Sequence, residues 1–375
     1  MNRPILNVAI VGCGRVAGHH ATFIADMADA RLVAVCDLVA ERARDFGAKF
    51  GVPAFTDYHA MLRTHPEADT VAIVTPSGMH AEHAMDVMRR YRRSVIVEKP
   101  TFMRPEQAEE AFALADALGL DVFPVFQNRY NKAVRRVRAG LDAGELGDIR
   151  VMNVRLRWCR PQRYYDMAAW RGTLSHDGGV LTNQGIHHVD LLRHLGGEVA
   201  RVSATMRTMG AAIEAEDTAV ATIVMNSDAI GSLEATTAAR PDDFEASLSI
   251  VGSKGLAQIG GVGCNELQIF TPDPAACAGH SEQFLGIEGK GAVYGHGHGE
   301  MYQDIVRFRR DGVAYPVTRQ DCLGTLRLLH AFYRSAEADG VWTEPGPAAR
   351  QLGRPNEAVS ALYRTPAPAD EAALS

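Results

Sequence analysis

The segment Gly12-Cys13-Gly14-Arg15-Val16-Ala17 constrains this chain most, because it joins a short apolar run, Ile5–Val11, to a helix-patterned stretch, Arg15–Ala28. In that setting a G-x-G-x-x-A turn has a physical meaning at each position. Gly12 permits a tight turn out of a strand, and Gly14 lets the backbone approach a pyrophosphate. Ala17 lets helix and strand pack closely, and the amides at the helix start, around Arg15 and Val16, face the negative charge. A second apolar run, Leu32–Cys36, ends in Asp37. That is the spacing at which a carboxylate accepts the ribose hydroxyls of a dinucleotide. It would repel the 2′-phosphate of NADP, so the pattern favours NAD as cofactor. Arg42 and Arg44 read as solvated positions on the next helix.

The alternation continues through a helix at 39–50, strand Thr70–Val74, a helix near 80–91, strand Ser94–Val97, helix Pro105–Leu118 and strand Val122–Val125. Short apolar strands alternating with helices imply a doubly wound parallel sheet. Beyond residue 127 the texture changes. A helix at 131–143 leads to Asp148–Trp158, where MNVRLRW alternates like an antiparallel strand with one wet face. Similar alternation recurs at Val199–Arg207, Thr218–Met225, Gly231–Thr236 and Ala246–Val251, with a helix over Val180–Leu195 between them. The expected fold is an α/β Rossmann dinucleotide-binding domain over 1–127, then an α+β domain with an open, mainly antiparallel sheet over 128–345. A proline- and alanine-rich tail over 346–375 reads as extended or partly disordered.

Bulk properties narrow the function classes. The net charge of −6 argues against a nucleic-acid partner, whose phosphates call for a basic surface. No apolar run reaches membrane-spanning length. The six scattered cysteines lack a CxxC pair, which suits reduced thiols better than a disulfide framework or a zinc site. The chain enters a strand almost at once, leaving no room for a signal peptide, so a cytoplasmic enzyme is expected.

Two segments sit at the carboxyl ends of parallel strands, where open α/β sheets bind ligands: Thr75-Pro76-Ser77-Gly78-Met79-His80 and Glu98-Lys99-Pro100. Taken with the glycine turn, their order resembles the Gfo/Idh/MocA family of sugar and polyol dehydrogenases. The resemblance implies that Lys99 lies at the active site and that the peptide before Pro100 is often cis. It also implies cofactor contacts from Thr75, Pro76, Ser77, His80, Glu98, Lys99, Asn128, Trp170 and Arg171. The family's second signature is matched by Gly178-Gly179-Val180-Leu181-Thr182-Asn183-Gln184-Gly185-Ile186-His187-His188-Val189-Asp190. His187 takes the place of the family's catalytic histidine, and Asn183 stands where many members carry aspartate. Asn183 cannot accept a proton but can hydrogen-bond the substrate or fix the histidine.

The chemistry calls for such groups. Oxidising a secondary alcohol sends hydride to the nicotinamide and requires loss of the hydroxyl proton. A histidine titrating near neutrality suits that task, and an ammonium at Lys99 would favour the developing alkoxide. His187 is therefore assigned as base and Lys99 as orienting cation, with the exchanged assignment open. His188 reads as a packing residue or as a support for the groups that touch the substrate.

Between these signatures lie Phe126-Gln127-Asn128-Arg129-Tyr130-Asn131, Arg157-Trp158-Cys159-Arg160-Pro161-Gln162-Arg163-Tyr164-Tyr165-Asp166 and Ala169-Trp170-Arg171-Gly172-Thr173. This series resembles the branch of the family that oxidises C3 of UDP-linked amino sugars, the UDP-N-acetylglucosaminuronate 3-dehydrogenases of the WlbA type. Arginines supply forked donors for diphosphate or carboxylate, and aromatic rings can stack on a base. Substrate contacts are expected from Lys99, Arg129, Arg157, Arg160, Arg163, Tyr164, Tyr165, Asn183, Gln184, His187, Tyr294 and His296. The Gly295-His296-Gly297-His298 pair has no carboxylate or cysteine at ligand spacing, so no metal is expected there. The resemblance further implies a homodimer or homotetramer. Two alternatives remain at this stage: a dehydrogenase of a free sugar or inositol, and a non-catalytic NAD-binding sensor or corepressor.

Overall fold

The structure, a computed structural model, describes residues 6–284 and 295–366. These residues fall into two compact units. The first takes in the chain up to Val125, His298–Arg319 and the residues from Pro355 on; the second takes in Phe126–Gly297 and Gln320–Arg354.

The first unit carries a six-stranded sheet, β1 (Leu6–Val11), β2 (Ala30–Cys36), β3 (Ala54–Phe55), β4 (Thr70–Ile73), β5 (Ser94–Val97) and β6 (Val122–Pro124). Its order is β3-β2-β1-β4-β5-β6, and every pairing is parallel. All four residues of β4 and of β5 are buried. That explains their unbroken apolar runs: helices cover both faces of a parallel sheet, so no strand face stays wet. Helices α1 (Ala17–Ala25), α2 (Ala40–Phe50), α3 (Tyr58–Thr64), α4 (His80–Tyr91) and α5 (Pro105–Leu118) alternate with the strands. Helix α5 has proline in its first turn and ends at Gly119, whose φ of 65° suits glycine.

The second unit holds α6 (Lys132–Asp142), β7 (Ile149–Arg157), α7 (Gln162–Tyr165), α8 (Ile186–Gly196), β8 (Val199–Arg207), β9 (Thr218–Met225), β10 (Ile230–Thr236), β11 (Glu245–Gly252), β12 (Leu256–Gly260), β13 (Glu266–Phe270) and α9 (Ala276–Gly279). Its seven strands run β13-β12-β11-β7-β10-β9-β8, antiparallel except for β7 against β10. Met152, Val154 and Leu156 of β7 are buried while Arg155, on the opposite face of the strand, is exposed, the alternation of a sheet with one solvated face. Three further helices follow: α10 (Gly297–Asp311), α11 (Arg319–Glu337) and α12 (Glu357–Ser360).

The fold class stands as expected, but several elements differ from the sequence pattern. The helix expected from Val180 begins at Ile186, because 177–185 is a chain of turns held by bonds such as Val180 N–H to the Glu216 carbonyl, 2.9 Å. Strands β3, β12 and β13 are too short or too polar to stand out by alternation. The C-terminal residues do not form one tail. Thr343 exchanges backbone bonds with Val202, and Ala349 N–H donates to His330 Nδ1 at 2.9 Å. Farther on, Arg364 forms an ion pair with Glu82 in the first unit. Likewise His298–Arg319 belongs to the first unit rather than to the second.

Candidate active site

In the first unit the glycine turn has the geometry its sequence demands. Gly12 has φ of 99°, and a Cβ there would lie 2.4 Å from the Val74 carbonyl oxygen, so only glycine fits. A Cβ at Gly14 would meet no atom within 4 Å, which leaves the backbone open to close approach. Val16 caps α1, so the Arg15 and Val16 amides precede its first turn. Asp37 is bound into the same turn: its Oδ2 accepts the Cys13 N–H at 2.9 Å and its Oδ1 the Val39 N–H at 2.9 Å. Arg42 is not simply solvated; its guanidinium folds back to 3.2 Å from Asp37. An open glycine backbone beside a helix start, with a carboxylate at the end of β2, fits an adenine dinucleotide.

The turns after β4 and β5 are tied to each other by His80. One ring nitrogen faces the Thr75 carbonyl at 2.9 Å and the other the Pro100 carbonyl at 2.8 Å. Burial pulls this imidazole below its ordinary pKa, and the two carbonyls work against that. Thr75 Oγ1 contacts His83 Nδ1 at 3.0 Å, while Ser77 is buried and Pro76 half-buried. The Lys99–Pro100 peptide is cis. Lys99 is half-buried, and its N–H donates to Oε2 of its neighbour Glu98 at 2.9 Å. Glu98 itself points into the protein, where His20 Nε2 and His298 Nε2 donate to its Oε1 at 2.9 and 3.1 Å. Its carboxylate is thus engaged by protein donors.

In the second unit His187 opens α8, and its Nε2 lies 3.0 Å from the Gln127 side-chain nitrogen. Either the amide donates to the ring or, with the amide turned over, the ring N–H donates to its oxygen. The Phe126 ring stands edge-on to the imidazole with centroids 6.4 Å apart. Asn183 donates its Nδ2 to Oδ1 of Asp177, whose Oδ2 accepts the Gly172 N–H at 2.6 Å. The carboxylate that the sequence lacks at position 183 is therefore supplied next to it by Asp177.

Beneath this loop lies Glu216, whose Oε1 accepts the Tyr333 hydroxyl at 2.7 Å and the Leu181 N–H at 3.1 Å. The Tyr333 hydroxyl also contacts Thr182 Oγ1 at 2.8 Å. A Cβ on Gly179 would lie 2.0 Å from Glu216, so the loop packs on this carboxylate only because position 179 is glycine. Burial pushes the Glu216 carboxyl up to about 7, against the pull of the Tyr333 and Leu181 bonds. His188 is buried against Trp158 and Cys264, and burial takes it down to about 4, as suits a packing residue.

The arginines separate into two groups. Arg129 is buried in a two-pronged pair with Asp190 at 2.6–2.7 Å and a further contact to Asp321 at 3.1 Å. Arg157 bridges Glu234 and Glu245 on the sheet, and Arg160 pairs with Asp243. These three are matched by the chain's own carboxylates, which removes the reason for reading them as diphosphate donors. Arg171 is different. Its Nη1 donates to the Tyr164 hydroxyl at 2.5 Å, and its guanidinium lies 4.3 Å from the Tyr164 ring centroid and 4.7 Å from that of Trp170. Gln184 donates to the same hydroxyl at 3.3 Å. Tyr165 is buried on Thr237, with its hydroxyl raised to about 12 by burial, and so packs rather than binds. Arg163 and His296 are exposed, Asn128 is buried, and Tyr294 lies outside the described residues. Gln127, Glu216 and Tyr333 have no spacing signal of their own; long-range folding brings them to the histidine loop, whereas Asp177 lies within it, six residues before Asn183.

No helix among the described residues is long and apolar enough to cross a membrane. Residues 6–126 match the oxidoreductase family with an NAD-binding Rossmann fold, and residues 134–258 match the GFO/IDH/MocA C-terminal domain. The WlbA dehydrogenase of Bordetella pertussis, solved with NADH and UDP-GlcNAcA, is 33% identical, with a TM-score of 0.81 over 92% of this chain and 98% of that one. Its counterpart from Chromobacterium violaceum, with the same ligands, is 32% identical at a TM-score of 0.81, over 92% of this chain and 97% of that one. The D-glucoside 3-dehydrogenase of Escherichia coli K12 is 31% identical over 52% of this chain, a match that spans 56% of that protein. The scyllo-inositol 2-dehydrogenase (NAD(+)) of Bacillus subtilis 168 is 25% identical over 67% of this chain and 73% of its own length. The chain belongs to the Gfo/Idh/MocA family and is an NAD-dependent oxidoreductase with a Rossmann domain followed by that family's C-terminal domain.

Proposed function

We propose that this enzyme oxidises the C3 hydroxyl of a UDP-linked amino sugar, UDP-2-acetamido-2-deoxy-glucuronate or a close analogue, to the 3-keto sugar. The observation that carries this reading is Arg171. Its guanidinium meets the Tyr164 phenol and the Trp170 ring rather than a carboxylate, in the same unit as Asn183 and His187. Such a group retains its charge for an anionic ligand. The likeness to dehydrogenases solved with UDP-GlcNAcA supports the same reading.

The dinucleotide, held by the Gly12–Val16 turn and Asp37, supplies the hydride acceptor when bound. The chain's residues handle the rest. His187 removes the C3 hydroxyl proton as the carbon–hydrogen bonding pair departs, so an alcohol becomes a ketone and one proton is left on the imidazole. Lys99, fixed after β5, stabilises the alkoxide as it develops. Asn183, anchored to Asp177, orients the sugar or the histidine. A 3-keto sugar is what an aminotransferase requires, so the pathway is amino-sugar synthesis for a surface polysaccharide. We place the enzyme in the cytoplasm, in line with its six free cysteines. A homodimer or homotetramer would cover the sheet face on which Val220 and Ile230 stand 53% and 56% exposed.

The test is a panel of UDP-sugars with NAD, following nicotinamide absorbance and the mass of the product. The expected result is a 3-keto product, competition by UDP alone, and a His187→Ala variant that binds NAD but turns over about 10³-fold more slowly. Turnover of free glucosides or inositols without competition by UDP would instead establish the second reading, favoured by the glucoside and inositol dehydrogenase relatives. Undiminished turnover by His187→Ala would remove the base from its role.

A further inference from the structure

A buried cluster in the first unit is left over from the chemistry above. Glu98, placed directly after β5, receives His20 from α1 and His298 from α10, residues separated from it by 78 and 200 positions in sequence. His20 and His298 are fully buried and Glu98 is 3% exposed. On the far side of His20, the Tyr302 hydroxyl lies 2.8 Å from Nδ1. The bonding fixes the protons. With its Nε2–H given to Glu98, His20 presents a bare Nδ1, which accepts the Tyr302 O–H. The other oxygen of Glu98 accepts the backbone N–H of Lys99 at 2.9 Å. The next residue, Pro100, is held through its carbonyl by His80.

We propose that His20, His298 and Tyr302 are positioning residues that hold Glu98 as a buried anion, and that this anion fixes the turn and the charge of Lys99. The functional part rests on the reading of Lys99 as the cation at the sugar hydroxyl. The physical reasons are two. A carboxylate that takes N–H donors on both oxygens is locked in one rotamer, and one of those donors is the Lys99 backbone. A buried negative charge one residue from an ammonium also favours the charged form of that amine. The ionisable groups around Glu98 are His19 and His20 from α1, His80 from α4, and His298 and Tyr302 from α10. Burial leaves His19, His20 and His80 with lowered proton affinity and Tyr302 with raised affinity, whereas the two imidazole contacts hold the Glu98 carboxyl well below its ordinary value.

A histidine–histidine–glutamate trio also suggests a metal site, and its three ligand atoms lie within 4.8 Å of one another. Both Nε2 atoms, however, already approach a single oxygen at hydrogen-bonding distance. That arrangement needs a proton on each nitrogen, whereas a metal needs the lone pairs.

The experiment reads Lys99 without needing any sugar. The chain has only five lysines, Lys49, Lys99, Lys132, Lys254 and Lys290. Reductive ¹³C-methylation followed by NMR titration therefore gives a small set of resonances, with Lys99 assigned by its loss in Lys99→Ala. Glu98→Gln is expected to lower the Lys99 pKa by about one unit, since an opposite charge at close range is removed. Once the substrate is in hand, kcat should fall about 10- to 100-fold with KM for the sugar little changed, and the alkaline limb of the pH–rate profile should move down. Should Glu98→Gln fail to fold, His298→Gln and His298→Leu replace it. Glutamine keeps an N–H for Glu98 and should leave the Lys99 resonance in place; leucine removes the donor and should shift it. A Lys99 titration that is the same in wild type, Glu98→Gln and His298→Leu would overturn the proposal. So would tight zinc uptake by wild type that His298→Leu abolishes. If wild type turned over no UDP-sugar but the Lys99 shift appeared, the substrate reading would fail while the positioning device stood.

Discussion

Among the described residues two glutamates lie buried, one in each unit, and each sits under a segment that carries a proposed catalytic side chain. Glu98 supports the Lys99 turn, and Glu216 supports the 177–185 loop ahead of His187. Burial pushes both carboxyls up. At Glu98 the two imidazole donors more than offset it, and the group titrates well below the usual carboxylate range. At Glu216 one phenol and one backbone amide share a single oxygen, Asp177 adds repulsion, and the carboxyl rises to about 7. The same residue type at comparable depth is thus held below its ordinary pKa in one unit and above it in the other. Depth does not decide which; the number of donors and the charge of the neighbours do.

Truncation should separate the two most sharply. Glu98→Ala leaves two imidazole N–H groups and the Lys99 amide without their acceptor in a closed core, and should cost about 4 kcal/mol in urea unfolding. Glu216→Gln replaces an acid that is already partly neutral with a neutral amide of the same shape. It should cost under about 1 kcal/mol near pH 7. Equal losses for the two variants would dissolve the distinction.

A pH series sharpens the comparison further. The folded-state pKa of Glu216, about 7, lies above its ordinary 4.5, so the folded chain holds this proton where the unfolded chain has released it. The stabilisation from this group is full below pH 4.5 and is lost as pH rises through about 7. Glu98 has the opposite sign: its contribution is present above 4.5 and lost as pH falls through its depressed folded value. Wild-type stability minus that of Glu216→Gln should therefore decline by about 3 kcal/mol between pH 4.5 and 7.5, other groups cancelling in the difference. A flat difference curve would place Glu216 among ordinary carboxylates.

The contrast also shows what the sequence could reveal. The Rossmann half was legible because each functional position there is local: Gly12, Gly14 and Asp37 stand at fixed offsets from two strands, and the apolar runs of β4 and β5 mark a sheet covered on both faces. The alternation of β7 gave the open sheet as readily. Partners were not legible. Nothing near Glu98 in sequence announces His298, and nothing near Gly179 announces Glu216 or Tyr333. A row of arginines likewise does not show which of them a carboxylate will claim. Arg129, Arg157 and Arg160 are matched to acids 61 or more residues away, and Arg171 is not. Pattern gives the elements, whereas the charge state of a buried group depends on contacts that only the folded chain makes.

Asn183 offers the smallest and most specific test, because its amide lies against a carboxylate in a buried loop. Its Nδ2 is donated to Asp177, which also takes the Gly172 N–H at 2.6 Å. An aspartate at 183 would set two carboxylates against each other in a buried loop, and one proton would have to be shared between them. Asn183→Asp should therefore lose about 2 kcal/mol in urea unfolding at pH 8 and recover part of it at pH 5, where the pair takes up that proton. The exchange Asp177→Asn/Asn183→Asp keeps one amide and one carboxylate in the same place, with the amide oxygen still able to accept from Gly172. It should return stability to within about 1 kcal/mol of wild type. A penalty of the same size at both pH values, or no recovery in the exchanged pair, would mean that the loop discriminates the positions themselves. Recovery would mean that it requires only one charge, at whichever of the two positions carries it.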